Sequence, residues 1–354
     1  MKTIVANLPA ILLSPPEISK ESQLRNWFSL THADPVTDLL TDILWDREVA
    51  PESWAAARLS SAAYIYREKG TDWKVVAKFH AVKTGKDAIH HAERELRQTQ
   101  QAWKYLGCDQ EIRSVKPLGS WDGALFLEFV EGLTLEDKIS VRRSQPGELN
   151  LTIKVVGKLL SKLHMIDIQP KATPDFGQAA DYAHRLIDNL AKYGVLQNHP
   201  IVQTELGYFV EKWATNPMMW DYEQVQNHGD ATTSNFIFPS DGGVVAIDWE
   251  RSEIGDQAAD LGRLMAEITH SVNQHGGNFA EGLAFANDLA AAYCNQLSSN
   301  WNAESLMYRA RFYQATSTLR IARNGWLSLL DRLALVLHAF ALLSNYIDQP
   351  YRPT

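Results

Sequence analysis

The chain has 354 residues, 45% of them hydrophobic and 21% charged, enough for one large or two ordinary domains with true cores. A formal net charge of −8 argues against a general binder of nucleic acid or anionic membrane, because phosphate backbones and anionic lipids select surfaces rich in Lys and Arg. The acid is uneven: residues 1–150 carry 21 acids and 19 bases, residues 151–354 carry 21 and 15, so a cationic small partner suits the second part, although acidic surfaces also serve solubility. Cys108 and Cys294 lie far apart with no Cys-x-x-Cys pair, so neither a disulfide framework nor a zinc site is expected and a reducing cytoplasm is the default. The opening "MKTIVANLPAILLSPP" makes a poor signal peptide, and no later apolar run is long enough for a membrane span.

In chain order, residues 1 to about 35–40 mix prolines with a short amphipathic piece, "ESQLRNWFSL", and read as an N-terminal extension. Two β-rich runs follow, "AAYIYRE" and "WKVVAKFHA", separated by the turn Lys69-Gly70-Thr71-Asp72, which predicts a hairpin. "DAIHHAERELRQTQQAWKYLG" predicts a helix ending at Gly107, and "RSVKPLGSWDG" with "ALFLEFV" predicts strand, turn and strand. Everything after about residue 133 has helical periodicity except the region from Asp230 to Asp248, where "NFIF" and "GVVAIDW" flank Pro239-Ser240-Asp241-Gly242-Gly243 as a second hairpin. The expected class is α+β: a small antiparallel β-lobe with one helix over 41–130 and a larger mainly helical lobe over 131–354, with a ligand cleft between lobes.

The polar stretch "QNHGDATTSNFIF" carries the chemistry. Asp230 lies in a loop, Asn235 opens one strand and Asp248 closes the returning one, so two carboxylates and an amide converge at one end of a ribbon. Paired carboxylates repel unless a cation neutralises them, and Asp with Asn oxygens suit Mg²⁺, which borrows phosphate oxygens for its remaining ligands. Asp-x-x-x-x-Asn followed by an Asp on a later strand is the spacing kinases use. In isolation such a spacing is more often a plain turn.

The segment "HGDATTSNFIF" followed by "VVAIDWERSEIGDQAADLG" resembles the aminoglycoside phosphotransferase and choline kinase superfamily, of two-lobed protein-kinase-like fold. The resemblance implies ATP and Mg²⁺ as cofactors, Asp230 as the acceptor of the hydroxyl proton, and Asn235 and Asp248 as metal ligands. It further implies that Lys78 of "VVAKF" reaches the phosphates, paired with Glu95 or, alternatively, Glu93; Lys78 stands on a mostly apolar strand and needs a partner. Glu128 to Val130 fall where the family's hinge carries adenine, with Gly132 allowing a turn. "VGKLLSKLHMID" looks like the family's Leu-His segment ahead of the catalytic loop. One departure is the phosphate loop: "RLSSAAY" has no glycine, and Ser60 and Ser61 are the candidates for phosphate contact. His228 is read as a brace for local backbone and for the distant Asp260 rather than as a proton shuttle.

The acceptor the resemblance implies is a small-molecule hydroxyl, with no nucleic acid or membrane partner. An amine-bearing acceptor such as an aminoglycoside or amino sugar is favoured by Glu250, Glu253 and Asp256 just beyond Asp248, although at least one of these is expected to cap or brace local structure. "IDWE" keeps a choline or ethanolamine kinase as the alternative, and a nucleotide-binding pseudokinase is the reading without an acceptor. A protein kinase is disfavoured, since Trp-Glu rather than Phe-Gly follows Asp248 and no Ala-Pro-Glu segment comes after. His90 and His91 are expected to be solvated, His270 and His275 lack companions at metal-ligand spacing, and Tyr293, Trp301, Tyr308, Tyr313 and Trp326 are expected in the core more than in an aromatic cage.

Overall fold

A computed structural model describes residues 27–30, 35–40, 54–107, 111–145, 147–166, 174–298 and 301–346. Cys108 and residues 1–26, which carry most of the expected N-terminal extension, lie outside the described residues. The chain divides into two compact units: the described residues up to Lys104 with Ser114–Val130, and Tyr105–Arg113 with the described residues from Glu131 onward.

The first unit holds β1 (Trp27–Ser29), α1 (Pro35–Leu39), β2 (Trp54–Arg58), β3 (Ala63–Glu68), β4 (Lys74–Phe79), α2 (Ala81–Thr84) and α3 (Ala88–Leu106). The chain then gives β5 (Ile112–Ser114) to a sheet of the second unit and returns as β6 (Pro117–Trp121) and β7 (Ala124–Glu128). Six strands form one sheet in the order β1-β2-β3-β4-β7-β6, every pair antiparallel. Alternation in β4 buries Val75, Ala77 and Phe79 on one face, where they pack with Tyr64, Tyr66 and Phe126, and puts Lys78 on the other. The expected Lys69–Asp72 hairpin is present, with Gly70 at φ 85, and the expected strand, turn and strand is β6–β7, turned by Asp122 (φ 45) and Gly123 (φ 83), the left-handed pair that suits strand twist. β1 and β2 were not legible from the sequence, because "WFS" is short and "WAAAR" is buried at four positions running and so shows no alternation.

In α3 the positions Ala88, Ala92, Glu95, Thr99, Ala102 and Leu106 are all buried, at the three- and four-residue spacing of one helix face. Gly107, at φ 71, ends the helix in the left-handed conformation.

The second unit continues with β8 (Gly132–Thr134), α4 (Leu135–Ser140), α5 (Glu148–His164), α6 (Gly177–Lys192) and α7 (Pro200–Ala214). After these come β9 (Gln224–Asn227), β10 (Phe236–Pro239), β11 (Val244–Ala246) and β12 (Glu253–Asp256). The helices α8 (Gln257–Gln274), α9 (Phe279–Cys294), α10 (Ala303–Ala322) and α11 (Leu329–Tyr346) close the described chain. Its core gathers Leu186, Leu190, Leu206, Trp213, Phe312 and Leu343 from α6, α7, α10 and α11, with Trp213 stacked on Tyr308 at 4.4 Å. The expected hairpin is β10–β11, part of a sheet ordered β5-β11-β10-β8. β8, β9 and β12 correct the expectation of helix everywhere else; β9 and β12 pair antiparallel but read "QVQN" and "EIGD", whose polar side chains hide the strand signal. α8 passes so close to α10 that a Cβ on Gly262 would stand 2.4 Å from the Ala310 carbonyl oxygen. Among the described residues no helix is long and apolar enough to cross a membrane.

Candidate active site

In the first unit Lys78 Nζ lies 2.8 Å from Glu95 Oε1, both side chains nearly inaccessible, while Glu93 pairs with Arg97 at the surface. Helix phase decides between the two acids: Glu95 falls on the buried face of α3 and Glu93 does not. His80, which the sequence reading passed over, puts Nε2 3.0 Å from Glu95 Oε2, close enough for an ion pair if the imidazole is protonated but not aligned as a hydrogen bond. Its signal was available, since His80 stands two residues beyond Lys78 and so on the same face of the chain. His91 is not fully solvated, because its ring stacks on His80 at 6.4 Å.

Ser60 and Ser61 sit exposed in the β2–β3 turn, which the register Ala63↔Lys78 and the bond from Phe79 N to Ala62 O (2.7 Å) set against the Lys78 end of β4. The Ser60 hydroxyl accepts from Ala63 N at 3.1 Å and so stiffens its own turn. Glu128 accepts from Lys116 N at 2.7 Å, which ties its carboxylate to the start of β6; Val130 follows in non-strand backbone.

In the second unit the loop after β9 is built around a buried carboxylate. Asp260, in the first turn of α8, accepts from His228 N (2.6 Å), Gly229 N (3.0 Å) and His164 Nε2 (3.1 Å). Burial by itself would push the Asp260 carboxyl up, but His164 and His228 outweigh it and hold it below its ordinary value. Gly229 is required here: at φ 78 a Cβ would lie 1.9 Å from the Arg251 carbonyl oxygen.

His228 does brace the loop, with a difference from expectation. Asp260 bonds its backbone N–H, whereas its ring turns to Ile247 and Asp230. Nε2 stands 3.0 Å from the Ile247 carbonyl oxygen and must donate, which leaves Nδ1 to accept from Asp230 N at 3.3 Å. That fixes a neutral tautomer, in keeping with an imidazole pulled below its ordinary pKa by burial. The imidazole that does meet Asp260 is His164, from the Leu-His segment, with its Nδ1 2.8 Å from Tyr293 Oη. Burial pushes the Tyr293 phenol well above its ordinary value, so it remains a donor to that nitrogen.

Asp230 lies beside Arg263, which donates from Nη1 to Asp230 Oδ1 (2.6 Å) and to Gly229 O (2.9 Å). Asp230 Oδ2 has no hydrogen-bond partner among the described residues. Asn235 ends a short 3-10 turn (Thr233–Asn235) and donates from Nδ2 to Asp230 O at 2.9 Å, leaving its Oδ1 as the open atom. Ile247 N donates back to Asn235 O at 3.0 Å, so Asn235 and Asp248 flank the same end of the β10–β11 ribbon. Asp248 takes φ 66, a left-handed conformation that aspartate tolerates better than most residues and that is common at working sites. Arg263 was not foreseen, although it stands three residues after Asp260 and hence on the same helix face.

Of the three acids beyond Asp248, Asp256 is withdrawn: it caps α8 through Ala258 N (3.0 Å) and pairs with the buried Arg309 at 2.9 Å. Glu253 is exposed, and Glu250 lies 3.9 Å from Arg251. The five aromatics do not form one cage, since Tyr293 is bonded to His164, Tyr308 is stacked on Trp213 and Trp326 is largely exposed.

The phosphotransferase enzyme family (APH) is matched over residues 66–305. A stretch of 138 residues is 26% identical to acyl-CoA dehydrogenase family member 10 of Mus musculus; it takes in 38% of this chain and spans 12% of the length of that curated relative. The fold is similar to that of an ADP-bound aminoglycoside phosphotransferase, APH(2'')-Ib, at 14% identity and a TM-score of 0.55, covering 87% of this chain and 98% of that one. It is similar too to the ethanolamine kinase of Plasmodium vivax (14%, TM-score 0.57, 87% and 88% covered) and the choline kinase of Streptococcus pneumoniae (16%, 0.53, 87% and 98%). With two units of the expected α+β architecture, a loop fixed on Asp260, and a family match across more than half of its length, the chain belongs to the phosphotransferase enzyme family, with a protein-kinase-like fold.

Proposed function

We propose that the chain is an ATP-dependent phosphotransferase acting on the hydroxyl of a small, amine-bearing acceptor such as an amino sugar. The observation that carries this reading is the asymmetry of Asp230, one oxygen pinned by Arg263 and the other without a partner among the described residues. A carboxylate held that way can accept the proton of an incoming alcohol without rotating away. As the alcohol oxygen bonds to the γ-phosphorus, the bond to the β–γ bridging oxygen breaks, ADP leaves with that electron pair, and the hydroxyl proton passes to Asp230 Oδ2.

Asn235 Oδ1 and the Asp248 carboxylate are hard oxygen donors and fit Mg²⁺; the bond from Asn235 Nδ2 to Asp230 O sets the amide so that its oxygen is the ligand atom. Bound there with nucleotide, the ion would neutralise phosphate charge. Lys78, steadied by Glu95, would fix the phosphates, and the backbone from Glu128 to Val130 would meet adenine. Most of the work asked of these side chains is positioning, since transfer to an aligned oxygen needs little covalent help.

The amine rests on Glu250 and Glu253, with Asp256 no longer counted. A choline-type acceptor stands second because Tyr293 and Tyr308 are committed within the core. A scaffold without acceptor stands third, since it has no use for the open oxygen of Asp230. Asp230→Asn is expected to keep ATP affinity while abolishing ATP consumption driven by any acceptor; a variant with full activity would overturn the assignment.

A further inference from the structure

Past Asp260, α8 carries Arg263 and Glu267 four residues apart and so on one face. Arg263 donates to Asp230 Oδ1 at 2.6 Å and to Gly229 O at 2.9 Å. Glu267 accepts from Arg320 Nη2, which reaches across from α10. Asp230, Arg263, Glu267 and Arg320 thus form a row of alternating charge, each side chain only 15–21% exposed. His270, next on that face of α8, borders a cavity of about 380 Å³ with Asp331 and Leu335 and stands outside the row.

The row contains a contest. Helix side chains lean toward the N-terminus, so Glu267 leans over the turn that carries Arg263 and can reach its guanidinium. Yet Arg263 pairs with Asp230 and Glu267 with Arg320, and no ion pair within 4.0 Å joins Arg263 to Glu267. The charges still act on one another: burial pushes the Glu267 carboxyl above its ordinary value, Arg320 and then Arg263 pull it back, and Asp230 adds to the rise. Two carboxylates therefore compete for one guanidinium, and a second guanidinium occupies one of them.

Stability alone gives little reason for the Glu267–Arg320 pair, because buried ion pairs are often no better than apolar side chains of the same size. The other pair between α8 and α10 differs. Arg309 engages Asp256 Oδ2 through Nε, and Asp221 O and Ser305 Oγ through Nη1, whereas Arg320 leaves Nε buried without a hydrogen-bond partner among the described residues.

We propose that Arg320 is a positioning residue for phosphotransfer: it occupies Glu267, the rival acceptor for Arg263, and so leaves Arg263 to hold Asp230 with Oδ2 open to the incoming alcohol. The proposal rests on the phosphotransfer reading above and extends it to a side chain that touches neither substrate nor Asp230. Without Arg320 the buried Glu267 carboxylate has Arg263 one turn away as its nearest cation on α8. The guanidinium then shifts along the helix, and Asp230 is free to rotate.

The test is a pair of variants of the full chain, Arg320→Met alone and Arg320→Met with Glu267→Gln. Each is read by crystal structure and by steady-state ATP consumption with glucosamine, ethanolamine, choline or water as acceptor. Arg320→Met should carry Arg263 off Asp230 and onto Glu267, and lower kcat by about 10–100-fold, the scale of a misplaced reacting group, with KM for ATP unchanged. Adding Glu267→Gln removes the rival, so the double variant should regain the Arg263–Asp230 contact and a kcat within about threefold of the parent. Arg320→Lys, which keeps the charge, should behave as the parent. Should Arg320→Met not fold, Arg320→Gln, a donor without the charge, takes its place in both variants. A merely structural pair would show its loss in Tm and leave kcat and the Arg263 contact as they are. Arg263 still on Asp230 in the single variant, a single variant with parental kcat, or a double variant as slow as the single overturns the proposal. If no acceptor, water included, drives ATP consumption in the parent, the phosphotransfer reading fails, and the crystal structures alone decide whether Arg320 keeps Arg263 on Asp230.

Discussion

Asp260→Asn isolates the demand that the loop makes on a single buried carboxylate. In the native loop Oδ2 accepts from His228 N at 2.6 Å and from His164 Nε2 at 3.1 Å, and Oδ1 accepts from Gly229 N at 3.0 Å. An amide with its oxygen in the Oδ2 position keeps the first two bonds but points its NH₂ at the Gly229 N–H; turned over, it loses two bonds in place of one. The gentler orientation forfeits a hydrogen bond to a charged group, about 1.5–3 kcal/mol, and strands a half-buried backbone N–H, about 1–2 kcal/mol more. A total near 3–5 kcal/mol corresponds to a fall in Tm of about 10 °C for a unit of roughly 200 residues. Thermal unfolding followed by circular dichroism, with Asp230→Asn as a control that leaves these three bonds alone, gives the comparison. A Tm within about 2 °C of the parent would refute the claim that this carboxylate organises the loop, because at least one full hydrogen bond would then have been lost at no cost.

Other outcomes follow from the same geometry. Gly229→Ala should cost more than about 3 kcal/mol, since left-handed strain is compounded by a backbone clash, whereas Gly242→Ala, at φ 106 with open space around it, should cost only about 1–2 kcal/mol in denaturant titrations. Glu95→Gln should lower kcat/KM for ATP by about 10–100-fold, and Glu93→Gln should leave it unchanged, because only the first removes a buried charged partner of Lys78. Burial depresses the pKa values of His228, His270 and His338 below the unfolded value of 6.5, so the stability they contribute is fully present above that pH and is lost as pH falls from there through the folded values. Between pH 7 and pH 5 the Tm should therefore drop, and His338→Phe, which keeps the stacking on Phe279 (4.6 Å) but cannot titrate, should drop less; equal slopes would remove His338 from the account.

That Asn235 and Asp248 flank one end of a ribbon beside Asp230 was readable because the three residues lie close in sequence. Asp230, Asn235 and Asp248 come together on a loop and a tight ribbon, where separation in sequence nearly dictates separation in space. Glu95 could have been chosen over Glu93 without coordinates, since an acid at the third position of an otherwise apolar or small helical stripe must face inward and find a cation. Contacts between distant segments were less accessible. Nothing local in "SKLH" shows that His164 meets Asp260, or that Tyr293, more than a hundred residues on, supplies its second bond. The strands β9 and β12 hid for a related reason: buried polar side chains there bond locally, as when Gln226 donates to Ser252 Oγ, just ahead of β12, at 2.6 Å, so burial leaves no hydrophobic trace. Asp256 proves to be the acid, of the three, that braces local structure as expected of at least one; which one was not legible, because Arg309 lies 53 residues away.

Helix α8 joins two tasks that in many proteins fall to separate loops. Its first turn anchors the platform beneath Asp230, and its last turns face the His270 cavity, while Gly262 lets its backbone press against α10. The distance from the Asp260 anchor to the His270 cavity is thus fixed by one rigid rod. Changes of side chain in the final two turns therefore leave the first-turn anchor of the Asp230 loop in place.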